Sequence, residues 1–304
     1  MTIRKWKASA TIVALCTLGI PVSVTAQSAS AAVWKLVPAM PTTCFADDGF
    51  AGKVGEAQNA AIAAKDHQDA LNAKIREQFD AMPMMEKAQR MQAWMMKNPQ
   101  AATRMLEASA GAGEAGVALI EETKAAVDRL DKELEGQKKA FDAAIARAVQ
   151  SVDARIDALI RTKTRKTQVD AVFISDADYT AYVALVNERN AAYEKACEPF
   201  YGADGTFHRW LAAFRTEVSD KAIAAEESGN AAQLQQFAIM DTPSGGYRTT
   251  GGYDVVRDYL RRLHEVVGWR KYKATPQATL KPQSGHGLAG QVSLADADNA
   301  ARRR

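Results

Sequence analysis

A seven-residue repeat of apolar positions in a helix-favouring stretch constrains this chain more than any other feature. From Lys53 to about Arg161 the sequence is rich in Ala, Lys, Glu, Gln and Arg, which have high helix propensity. The first core position of this repeat is occupied by Val54, Ala61, Gln68, Ile75 and Met82. The second is occupied by Ala57, Ala64, Leu71, Gln78 and Met85. This spacing predicts long helices that pack in the manner of a coiled coil.

A second repeat follows a glycine-rich stretch. Its core positions are Ile120, Val127, Leu134 and Phe141, supported by Leu130 and Ala144, and the pattern then shifts to Ile145, Val149, Val152, Ile156 and Leu159. Between the repeats, AGAGEAG at 110–116 holds three glycines and predicts a turn. We therefore expect a long antiparallel helical hairpin over residues 52–162 with its tip near 110–116. Pro83 and Pro99 should break the first arm, because proline removes a helical hydrogen bond.

Residues 163–273 are expected to form a smaller helical body. Ser175 and Asp178 have the spacing of a capping box at the start of a helix that reaches Cys197. The apolar residues of that helix and of two later ones are Tyr179, Tyr182, Val183, Val186 and Tyr193, then Phe207, Trp210, Leu211, Phe214 and Val218, and then Val255, Val256, Tyr259, Leu260, Leu263 and Val267. A further helix is expected at about 231–240, and QVDAVFI at 168–174 is a candidate strand.

The predicted fold class is therefore all-α, with a coiled-coil-like hairpin and a compact body that residues 27–51 join. The tail at 274–304 contains Pro, Gly and Ser and little apolar patterning, so it is expected to be disordered. Heptads alone do not decide what packs on them. The hairpin is accordingly expected either to project from the body or to fold back onto it.

Residues 1–26 have the features of a secretory signal peptide. Arg4, Lys5 and Lys7 form a basic start, TIVALCTLGI is a short apolar core, and a cleavage site follows at Ala26. Cleavage would remove three basic residues and no acids from the 39 basic and 36 acidic residues of the chain. The remaining 36 of each sign give no basic excess for binding nucleic acid. We expect a soluble periplasmic or secreted protein.

Cys44 and Cys197 are the two cysteines that follow the signal peptide. In an oxidising compartment a disulfide between them is the default expectation, and it would tie the N-terminal segment to the body at the root of the hairpin. Two separate buried thiols or a redox pair are the alternatives, although redox pairs usually lie close together in sequence. The chain-entropy model gives a bridge over so long a loop about 5 kcal/mol at most.

The stretch MPMMEKAQRMQAWMMKNP at 82–99 holds six of the ten methionines. On a helix starting at Pro83, one face carries Met84, Ala88, Met91 and Met95, with Met85 and Met96 on one flank and Trp94 on the other. This apolar arc of about 200° is wider than one partner helix needs. The segment is therefore either buried on two sides or partly exposed.

Three interpretations of this segment compete. Methionine fills irregular gaps in cores, it forms adaptable binding surfaces, and its soft sulfur can bind Cu(I). The residues that would form a partner-binding surface are Met84, Met85, Met91, Trp94 and Met95. A copper site is disfavoured, because Met84 and Met91 lie about two turns or 10 Å apart and no His or Cys is near in sequence. No metal site is predicted.

Arginines supply the remaining candidate site. SGGYRTTGGYD at 244–254 precedes a helix and could cradle an anion, although a flexible loop explains it equally well. The following helix is made basic by Arg257, Arg261, Arg262, Arg270, Lys271 and Lys273. This pattern is typical of a solvated face or of peripheral contact with anionic lipid headgroups or an acidic partner. The candidate anion-binding residues are Arg248, Arg257 and Arg261.

The sequence predicts an exported, non-enzymatic interaction protein that holds or bridges other envelope proteins or unfolded clients without a cofactor. No pair of titratable groups stands at catalytic spacing, and the four histidines lack zinc-ligand spacing. Periplasmic holdase chaperones also use long helical arms, which is an analogy of fold without a shared motif. The alternative is a periplasmic ligand-binding or Cu(I)-binding protein that uses the methionine segment or the glycine-rich loop. The sequence carries no signal for the oligomeric state.

Overall fold

The computed structural model describes residues 34–35, 37–47, 49–230, 240 and 250–284, without the side chains of 101, 104–115 and 228. Several predicted features lie outside this part of the chain. They are the signal peptide, nearly all of the helix at about 231–240, Arg248 with most of the glycine-rich loop, and residues 285–304 of the tail.

The fold is all-α, as the sequence predicts. The helices are α1 (Gly49–Ala81), α2 (Met84–Lys97), α3 (Pro99–Lys163), α4 (Asp176–Tyr201), α5 (Thr206–Phe214), α6 (Asp220–Gly229) and α7 (Gly251–Gly268). A π-helical turn at Arg215–Ser219 joins α5 to α6. The predicted cap of α4 is confirmed, because the Ser175 hydroxyl accepts a hydrogen bond of 3.1 Å from the backbone N–H of Asp178.

The predicted hairpin tip at 110–116 is wrong, because α3 runs without a break from Pro99 to Lys163. Each glycine in a helix interior costs only about 1 kcal/mol relative to alanine, which packing can offset. Gly116 is buried against α6, where an added Cβ would lie 3.5 Å from the carbonyl oxygen of Ala225. The two long helices α1 and α3 are connected instead by residues 82–98, which include α2. The breaks on either side of α2 lie at Pro83 and Pro99, the two prolines expected to break the first arm.

The main core combines residues of both long helices with the body. Val54 and Ala61 of α1 pack in one cluster with Leu130 of α3, Trp210 of α5 and Leu260 of α7. The indole N–H of Trp210 donates a hydrogen bond of 2.7 Å to the carbonyl oxygen of Leu130. Helix α1 also packs along α7. The first part of the hairpin therefore folds back onto the body, which is one of the two arrangements that the heptads left open.

A smaller core lies at the C-terminal end of α3 beside a short sheet. Its strands are β1 (Thr164–Lys166), β2 (Ala171–Phe173) and β3 (Leu280–Lys281), in the order β1-β2-β3. Strand β2 falls within the candidate strand at 168–174. It pairs antiparallel with β1, with Val172 opposite Arg165, and parallel with β3, with Ala171 opposite Leu280. Phe173 and Leu280 are buried here against residues of α3 and α4.

The prediction of a disordered tail from residue 274 is wrong for residues 274–284. The Asn190 side chain exchanges hydrogen bonds with the backbone N–H and carbonyl of Ala274, and the Tyr182 hydroxyl accepts one from the backbone N–H of Gln277. Strand β3 then pairs with β2 across more than 100 residues of chain. A two-residue strand has no pattern of its own, so its distant partners decide its structure.

The predicted disulfide is present between Cys44 and Cys197, whose Cα atoms lie 5.8 Å apart. It fastens the strap, which we define as residues 37–47, to helix α4. Further contacts hold the strap: Phe45 stacks on Tyr193 at 5.1 Å between ring centroids, and the backbone N–H of Ala46 donates to the carbonyl oxygen of Lys271. Among the described helices, none has the length and apolar content needed to cross a membrane.

Candidate interaction site on helix α2

Helix α2 is a separate element because a proline stands at each of its boundaries. Pro83 precedes it in an extended conformation, with φ −58° and ψ 145°, and its carbonyl accepts a hydrogen bond from the N–H of Lys87. At the other end the backbone N–H and the side-chain amide of Asn98 both donate to the carbonyl oxygen of Trp94. Pro99 then starts α3, where its missing N–H costs no helical hydrogen bond.

None of the residues of α2 is buried. Met84, Met85 and Met96 are 79%, 73% and 75% exposed, and Met95 is 37% exposed. Large apolar side chains with this exposure contrast with the buried heptad residues of α1, such as Val54 and Ala61. The interpretation of the whole segment as core packing is therefore wrong.

The exposed methionines follow the rotation of the helix. Met84 and Met95 are eleven residues apart, as are Met85 and Met96, and eleven residues correspond to about three helical turns. At 100° per residue these two pairs and Ala88 occupy an exposed arc of about 120°. We call this surface, formed by Met84, Met85, Ala88, Met95 and Met96, the methionine face.

The side of α2 next to the methionine face is half-buried. Met91 and Trp94 lie there, together with Lys87, whose ammonium group stands 4.6 Å from the centroid of the Phe79 ring of α1. This cation–π contact helps to fix the rotation of α2 relative to α1. A Glu86–Arg90 ion pair of 2.8 Å adds a bond within the helix. The Lys87 side of α2 therefore lies against α1, and the methionine face lies outside this contact.

The structure divides the predicted partner-binding residues into two groups. Met84, Met85 and Met95 are exposed, whereas Met91 and Trp94 are half-buried. The sequence-based set also omitted Met96, one of the most exposed methionines. Met96 lies eleven residues after Met85 and so on the same side of the helix, and this spacing would have identified it from the sequence.

The arginines of α7 are already engaged with aspartates. Arg257 bonds to Asp254 at 3.1 Å and Arg261 to Asp258 at 2.7 Å, each one turn away on the same helix. The hydrogen bond and charge of Asp258 raise the pKa of Arg261. Arg262 is mostly buried and pairs with Asp258 and with Asp131 of α3. These pairs neutralise much of the charge that made this helix basic in sequence.

Arg270 departs further from the expected solvated face, since it is 4% exposed. Burial lowers the pKa of its guanidinium group. Burial also raises the pKa values of Tyr193 and Tyr201, which lie on the same side of the core. Tyr201 donates a hydrogen bond of 2.6 Å to the carbonyl oxygen of Val266, so it is held in a structural contact.

In the described part of the chain, no group of three or more His, Cys, Asp or Glu side chains is placed to hold a metal ion. His67 and His264 are exposed and His208 is half-buried. No protein-family model matches the chain, and no curated protein or solved structure is significantly similar to it. A function must therefore be argued from the chain's own surface.

Proposed function

We propose that this is an exported, non-enzymatic protein that uses the methionine face to hold apolar segments of other envelope proteins, as a chaperone or an assembly component. The observation that carries the proposal is the exposure of Met84, Met85 and Met96, each about three-quarters accessible to water. Contiguous apolar surface of this kind is unfavourable in a protein without a partner, and it marks interaction sites.

Methionine suits a surface that must accept different apolar partners. Its unbranched side chain has three rotatable bonds and a polarisable sulfur, so it can adapt to partners of different shape. The neighbouring charges favour solubility of the free protein: Lys87, Arg90 and Lys97 accompany Glu86 on the same helix. A surface of this composition favours binding of several different clients over binding of one specific partner.

The position of α2 supports the same role. The main core involves α3 mainly from Ala126 onward, and α3 begins at Pro99. At 1.5 Å per residue the intervening 27 residues of helix span about 40 Å. A client bound at α2 would thus be held away from the main core.

Export is supported by two further features. Residues 1–26 read as a signal peptide, and the Cys44–Cys197 disulfide is typical of proteins from oxidising compartments. The clients that we propose are therefore envelope or secreted polypeptides in transit. Their exposed apolar segments would be the groups that the methionine face covers.

The test is suppression of aggregation of a chemically unfolded client by the mature protein and by its Met85→Asp/Met96→Asp variant. We expect the variant to lose most of the suppression, because two charges on the methionine face oppose apolar contact. Its thermal stability should change little, because surface substitutions usually alter the free energy of unfolding by no more than about 0.5 kcal/mol.

Val169→Asp is the matched control. Val169 is an equally apolar side chain, 83% exposed, in the turn between β1 and β2. This variant should suppress aggregation as well as the unmodified protein does. Equal suppression by all three proteins would show that the methionine face does not hold clients.

A further inference from the structure

Among the methionines whose side chains the structure describes, the exposed ones lie on α2. Eight methionines have side chains that the structure describes, and half of them are exposed. The exposed ones are Met84, Met85, Met95 and Met96. The half-buried ones are Met40, Met82, Met91 and Met240. Among the described methionines, a water-soluble reagent that attacks sulfur would thus reach those of the methionine face first.

Cysteine, the usual first target of such a reagent, is protected in the described part of the chain. Cys44 and Cys197 are joined to each other, and they are 5% and 0% exposed. Neither carries the thiolate that oxidants attack most readily. The thioethers of α2 are therefore the most accessible reduced sulfur atoms among the described residues.

The relevant chemistry is oxygen transfer to the thioether sulfur. Hydrogen peroxide gives one oxygen atom to sulfur and leaves as water, and a hypohalous acid gives one oxygen atom and leaves as halide and a proton. In both cases the sulfur loses two electrons and the oxidant gains them. The product, methionine sulfoxide, is polar and disrupts methionine-rich contact surfaces.

We propose that the methionine face is an oxidation site, at which peroxide or hypohalous acid converts the four exposed thioethers to sulfoxides and so switches off client binding. The part concerning client binding rests on the proposed function. The modification leaves the fold in place, because no residue of α2 is buried and the core makes no use of these side chains. Oxidation would thus change the client-binding surface and leave the core unchanged.

The experiment treats the mature, disulfide-bonded protein with increasing hydrogen peroxide and follows each methionine by tandem mass spectrometry. The sequence provides internal controls. Cleavage after Lys87, Arg90 and Lys97 leaves Met82 in one peptide with Met84 and Met85, and Met91 in another with Met95 and Met96. We expect Met84 and Met85 to oxidise several-fold faster than Met82 in the first peptide, and Met96 several-fold faster than Met91 in the second. Equal rates within both peptides would overturn the assignment of the site.

The switch is tested in the same samples by suppression of client aggregation. Suppression should fall in proportion to sulfoxide at the four positions, while the circular dichroism melting curve stays unchanged. Peroxide should leave unchanged the suppression that the M84L/M85L/M95L/M96L variant shows before treatment, because leucine carries no sulfur for the oxidant to attack. Full suppression by the oxidised unmodified protein would overturn the switch. Absence of suppression before oxidation would overturn the proposed function and the switch with it, and the relative oxidation rates would still decide the site.

Discussion

At the scale of the residue, Arg270 shows how a charged side chain can hold two distant parts of the chain together. One of its terminal nitrogens donates to the carbonyl oxygens of Thr43 and Phe45 at 2.9 and 3.0 Å, and its Nε donates to that of Val267. It thereby links the strap to the end of α7, next to the Cys44–Cys197 bridge. In sequence it is one of several basic residues near α7, and nothing there distinguishes it from an exposed neighbour.

Substitution of Arg270 tests this role. Arg270→Met removes the donors from the carbonyl oxygens of Thr43, Phe45 and Val267, and a polar group left unsatisfied inside a protein costs roughly 1–3 kcal/mol. We expect the free energy of unfolding, measured by urea denaturation, to fall by about that amount. Lys271→Met is the control, because it removes the same charge from an exposed side chain. If both variants were equally stable, the linking role of Arg270 would be wrong.

At the scale of the element, sequence identified the buried faces better than the boundaries. The first heptad positions Val54, Ala61, Gln68 and Ile75 are all buried, as are Leu134 and Phe141 of the second repeat. The burial of these positions can be predicted because helix periodicity is a property of the local sequence. The predicted turn lies at the wrong place because glycines only weaken a helix, whereas a proline cannot continue one: the first helix ends before Pro83, and a new helix starts at Pro99.

The continuity of α3 gives a prediction at this scale. Gly116 lies inside the helix, and an alanine Cβ would make ordinary contact with the Ala225 carbonyl oxygen at 3.5 Å. Gly116→Ala should therefore raise the free energy of unfolding by up to about 1 kcal/mol, from higher helix propensity. Thermal and urea denaturation would measure this. Marked destabilisation would indicate that this glycine occupies a turn, as the sequence alone suggested.

At the scale of the whole molecule, α3 connects features that sequence analysis assigned to separate domains. Its 65 residues span about 95–100 Å, from the joint with α2, past the main core, to the small sheet. The sheet depends on Leu280, which pairs with a strand formed near residue 171. Such long-range pairing leaves no local pattern, so neither the sheet nor the order of residues 274–284 could be predicted.

The candidate site was likewise only partly predictable. The concentration of methionines at 82–99 identified the segment, and its wide apolar arc required either burial on two sides or partial exposure. Which of the two applies depends on whether another element covers α2, and that is a property of the whole fold. The structure leaves Met84, Met85 and Met96 exposed, and this exposure supports the proposed binding of clients.

The most direct test of that proposal is photo-crosslinking in living cells that export the protein. A photoreactive amino acid would replace Met96 on the methionine face or, as a control, Val169 in the turn between β1 and β2; both positions are at least three-quarters exposed. We predict that position 96 captures other envelope or secreted proteins, identified by mass spectrometry, and that position 169 does not. Crosslinks from position 96 that remain within the chain itself, or that match those from position 169, would contradict client binding by the methionine face.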